Sequence, residues 1–81
     1  MNSQYYRLIS LAEEFDTPST PKKIEELNEL LAATDATAVK PEHFSLLDDL
    51  ISIMAITGNL TEAHKTAILD LSDKIRVRKL A

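Results

Sequence analysis

Residues 41–58 read PEHFSLLDDLISIMAITG, and this stretch decides the fold. At helical spacing Ile53, Leu46, Leu50, Met54, Leu47, Ile51, Phe44 and Ala55 sweep an apolar arc of roughly 200°, where a surface helix needs a stripe of only about 100°. A chain of 81 residues has few other elements to cover so wide a face. Either three further helices wrap this one, or part of the arc is buried against another chain. Pro41 suits the first turn, because its missing N–H would have no partner there. Glu42 complements the positive end of the helix dipole. Thr57-Gly58 closes the segment, glycine being the residue that takes the left-handed C′ position.

The segments on either side are also helical. Downstream, Gly58-Asn59-Leu60 makes a short linker, Thr61 is expected as N-cap and Glu62 sits in the first turn of a helix over residues 61–78. Its predicted inner face is Ala63, Ala67, Ile68, Leu71 and Ile75. Upstream, Thr20 caps and Pro21 opens a helix over residues 20–33, with Ile24, Leu27, Leu30 and Leu31 as a stripe of about 120°. Before it, Tyr5, Leu8, Ile9, Leu11, Ala12 and Phe15 fall on one face of a helix over residues 3–15, which Asp16-Thr17-Pro18-Ser19 breaks. Residues 35–40 show no period, and Val39 is expected to tuck inward. The reading is one all-α domain spanning residues 1–81, with four helices (about 3–15, 20–33, 41–57 and 61–78). A C-terminal αα-hairpin forms its centre, the third helix holds the central position, and the first two helices pack across the hairpin.

Composition narrows the function. Hydrophobic residues make up 44%, with no Trp and four aromatics in all, so the core is aliphatic. A core this small leaves little net stability, and small chains add disulfides, metals or oligomerisation. There is no Cys, and His43 and His64 are the only imidazoles, so no metal and no cofactor is expected. Oligomerisation remains, with an idealised monomeric bundle as the other outcome. The net charge of −4 gives no overall attraction to nucleic acid or anionic lipid. The opening residues lack a basic stretch followed by an apolar run, and no segment reaches the roughly 18 apolar residues that span a bilayer. A cytoplasmic protein of a bacterium or phage, with no membrane partner, is the expectation.

Catalytic constellations are missing. Asp48 and Asp49 diverge by about 100° on a helix and read as a solvated face with Ser45 and Ser52. His64 lies on the core-facing stripe of the last helix with Leu71 and Ile75 and reads as a partly buried histidine facing the Thr61 cap. His43 is expected to be exposed. Nucleophile elbows, phosphate loops and dinucleotide fingerprints are absent, so no enzyme is expected. A helix-turn-helix fails too: the third segment is too long for a positioning helix, and His64 stands where an aliphatic residue belongs.

Two surfaces remain. Lys74, Arg76, Arg78 and Lys79 concentrate positive charge, either complementing the helix dipole on a frayed, solvated end or contacting phosphates. On the same helix Leu69, Val77 and Leu80 point away from the inner face, interleaved with Arg76 and Asp73. Together with Tyr6, and with Ile53 and Leu46 if the third helix is not fully wrapped, they are the candidate protein contacts. The function expected is a small non-catalytic protein-binding module, an accessory factor or phage-type modulator acting sterically on a protein partner, with a second copy of itself in a homodimer as one such partner. The acidic residues Glu13, Glu14, Asp16, Glu25, Glu26 and Glu29 would steer it to a basic partner. The alternative is nucleic-acid binding through the basic end of the last helix.

Overall fold

The computed structural model describes residues 3–15 and 20–80. It shows α1 (Ser3–Glu13), α2 (Pro21–Ala33), two single 3₁₀ turns (Ala36–Ala38 and Pro41–His43), α3 (Phe44–Ile56) and α4 (Lys65–Leu80), with no strand among the described residues. The predicted break at residues 16–19 lies outside the described residues, as does Asp16 of the acidic group.

Local signals place α2 and the end of α3. The Thr20 hydroxyl accepts from the Lys23 N–H at 3.3 Å, with Pro21 in the first turn. At the other end of the hairpin element, Gly58 has φ +73°. The Asn59 N–H reaches the Met54 carbonyl at 2.8 Å and the Gly58 N–H reaches Ala55 at 3.3 Å, the paired bonds of a Schellman closure. Pro41 opens a 3₁₀ turn that runs into α3, so the α-helix proper starts three residues later than the sequence suggested.

The start of α4 differs more. Thr61 does not cap an α-helix, which begins only at Lys65. Its N–H is held instead by the Asn28 side-chain oxygen at 2.9 Å, which fixes residues 61–64 as a turn against α2. The His64 carbonyl then accepts the first helical bond, from Ile68 at 3.0 Å. Ala63 and Ala67, expected inside, are consequently exposed, and the buried face of α4 is Ile68, Leu71, Ser72 and Ile75.

The helices form a ring: α1 packs on α2, α2 on α4, α4 on α3 and α3 on α1, and the α3–α4 hairpin is the most extensive seam. No helix runs through the middle of the others, so α3 occupies a corner rather than the central position expected for it. Leu8, Leu27, Leu31, Leu47, Ile51, Met54, Ile68 and Ile75 fill the middle with almost no solvent contact, and Val39 reaches it from the connection as expected. Of the wide apolar arc on α3, Phe44, Leu47, Leu50, Ile51 and Met54 are buried, Leu46 is half-buried, and Ile53 and Ala55 are exposed. A ring gives each helix two neighbours, enough to cover roughly 120° of its circumference and not 200°.

Between α1 and α2 the Arg7 guanidinium donates to both oxygens of Glu26, at 2.9 and 3.1 Å. That hydrogen bond holds the Glu26 carboxyl below its usual range. The pair is largely exposed and serves alignment more than stability.

Candidate protein-contact surface

The four cations at the C-terminal end of α4, Lys74, Arg76, Arg78 and Lys79, each have a partner within the chain. Lys74 pairs with Asp70 one turn back at 3.0 Å, a hydrogen bond that raises its pKa. Arg76 Nε donates to Asp48 on α3 at 3.2 Å, and Lys79 lies 3.7 Å from the same carboxylate. Arg78 donates to the backbone carbonyls of Ala36 and of Val39, the latter at 2.8 Å. Its guanidinium also stacks 4.8 Å above the Phe44 ring. The helix continues to Leu80, so this end is neither frayed nor a free cluster of cations.

Asp48 corrects the expectation of a solvated face. Its side chain is only 15% exposed, and it also accepts from the Ser72 hydroxyl at 3.0 Å. Ser72 is small enough to let α4 close on this flank of α3, which draws the carboxylate into the seam. Arg76 and Lys79 then offset its charge. Asp49, one residue on, remains exposed.

The candidate apolar contacts stand on different faces. On α4, Leu69, Val77 and Leu80 are 39%, 67% and 89% exposed, on the outer side. Asp73 and Arg76 are exposed beside them, with 3.9 Å between their charged groups. Ile53 is 42% exposed and Leu46 is packed at the edge of the core. Counting at helical spacing, these two lie roughly 140–160° around α3 from Asp48, on the flank turned away from α4. The structure therefore does not join Leu46 and Ile53 to the α4 stripe. Tyr6 is exposed on α1, where its hydroxyl accepts from Lys40 Nζ at 3.1 Å. That bond raises the Lys40 pKa. Ile56, at the end of α3, is 85% exposed and was not singled out from sequence.

Both histidines have structural partners. The Tyr5 hydroxyl lies 2.6 Å from His43 Nδ1 and accepts from the Lys40 N–H at 3.1 Å. His43 is thus half-buried against α1, not exposed as expected. His64 Nδ1 lies 2.8 Å from the Thr61 hydroxyl, in the half-buried position the sequence suggested. This contact extends a network that sequence reasoning missed. Asn28, fully buried on α2, donates to the carbonyls of Ile24 at 2.8 Å and Asn59 at 2.9 Å, and accepts from Thr61. Its one visible sign in the sequence is a polar residue one turn after Ile24, at the edge of the apolar stripe. A depression of about 480 Å³ lies over this network, bordered by Pro21, Ile24, Asn59 and His64. Asn28, Thr61 and His64 are linked to one another there, an arrangement that holds α2 against the hairpin.

No family model, no curated protein and no solved structure matches this chain. No helix among the described residues is long and apolar enough to cross a membrane.

Proposed function

We propose that this chain is a non-catalytic, cytoplasmic protein-binding module whose contact surface is the outer side of α4. The observation that carries the reading is the exposure of Leu69, Val77 and Leu80 along one side of a helix whose inner face is fully used. Three large aliphatic side chains in water at this density favour covering by another protein. The action is steric: an ordered helical face fills a groove or occupies a subunit contact. Nucleic-acid binding through Lys74, Arg76, Arg78 and Lys79 draws less support. Three of these cations face carboxylates and the fourth faces carbonyls, so phosphate contact would have to displace bonds already made.

The test is site-specific photocrosslinking in cells that express the chain. A benzophenone amino acid replaces Val77, or Glu29 on α2 as the control. Protein adducts from position 77 and not from position 29 are expected. No adduct at 77, equal adducts at both, or an adduct with nucleic acid instead of protein, overturns the reading.

A further inference from the structure

The same face of α4 is complementary to itself, and we propose that it pairs with α4 of a second copy, antiparallel about a two-fold axis. This rests on the protein-contact reading above and names the occupant. At helical spacing Leu69, Asp73, Arg76 and Leu80 fall within roughly 60° of the circumference of α4. Leu69 and Leu80 stand equally far to either side of the midpoint between Lys74 and Ile75, and so do Asp73 and Arg76. An antiparallel partner centred on that midpoint therefore sets Leu69 opposite the second copy's Leu80, and Asp73 opposite its Arg76. Both contacts occur twice, as an isologous interface requires. A parallel partner in register would set Asp73 against Asp73 and Arg76 against Arg76, so charge selects the antiparallel arrangement.

The groups are placed for it. The Asp73 side chain is 76% exposed, and its 3.9 Å separation from Arg76 within the helix is at the long end for an ion pair, so its carboxylate can take a second cation. Arg76 is held at its Nε by Asp48, which orients the guanidinium along the seam without burying it. Val77 adds apolar surface at the margin. One helix face is smaller than the roughly 800 Å² per partner of a standard stable interface, so the pair dissociates readily, with a Kd on the order of 10–100 micromolar.

The chain has no Cys, so an introduced thiol is the sole one. Leu69→Cys and Leu80→Cys variants of the full chain, each checked for an unchanged helical spectrum, are oxidised alone and as an equimolar mixture. In the proposed pair positions 69 and 80 are level across the axis, while two copies of position 80 lie roughly 16 Å apart along it. A disulfide needs Cα atoms within about 7 Å, so the mixture is expected to give about tenfold more dimer than either variant alone. Adding Asp73→Arg to both variants, which sets arginine against arginine, is expected to return the mixture to the level of the single variants. Equal yields in all three samples, or a sedimentation profile of the unmodified chain that stays monomeric at millimolar concentration, overturn the pairing. In the photocrosslinking experiment, an adduct of twice the chain's mass supports it. An adduct of any other protein alone overturns the pairing and leaves the contact reading standing, whereas loss of all adducts overturns both.

Discussion

Asn28 shows what a single polar residue does in a small aliphatic core. Its amide spans the gap between α2 and the linker that follows α3, and no buried side-chain polar atom among the described residues lacks a partner. Replacing it with Ala would strand the Thr61 N–H and the Asn59 carbonyl. Asn28→Ala is expected to cost about 2–3 kcal/mol in urea unfolding, against less than about 0.5 kcal/mol for Glu29→Ala on the exposed side of the same helix. Sequence reading did not find this role because the partners of Asn28 lie 31 and 33 residues away. Periodicity registers only that a polar residue borders the stripe. Asp48 was misread for the same reason: 24 residues separate it from Ser72, and nothing near it in the chain distinguishes it from Asp49. Thr20, by contrast, acts on a residue three positions on and was legible.

The elements divide along the same line. The start of α2 and the end of α3 are set by caps within a few residues, and both were readable. The start of α4 was not, since Asn28 competes for Thr61 and wins, which delays the helix to Lys65 and turns Ala63 and Ala67 outward. The candidate contact stripe was legible as a set of outward Leu and Val residues on α4. Its separation from Ile53 and Leu46 was not, because that depends on which flank of α3 the last helix takes. Gly58 tests the local side of this argument. Beyond Gly58 and its two chain neighbours, no atom lies within 4 Å of where its Cβ would stand, so Ala there meets no clash and is opposed only by the positive φ. Gly58→Ala is expected to lower stability by about 1 kcal/mol, and Gly58→Asn by clearly less, in thermal or urea melts.

On the scale of the whole molecule, the wide apolar arc that suggested a wrapped central helix belongs to a corner of a ring. Residue patterns report how much apolar surface a helix carries and not how many neighbours it will have, so the arrangement around α3 could not be read from its sequence alone. The ring is closed at one place by Arg78, which reaches across 39 residues of sequence to the Val39 carbonyl. In time rather than space, that bond is expected to form late. Its formation waits on closing nearly half the chain into a loop, whose entropy must be met before the contact contributes. Arg78 then acts as a latch on the folded state and not as a guide toward it. In stopped-flow measurements Arg78→Ala is expected to leave the refolding rate within about twofold of the parent while speeding unfolding roughly tenfold. The residue that sequence alone would spend on phosphate or solvent would then govern how long the protein stays folded once it has formed.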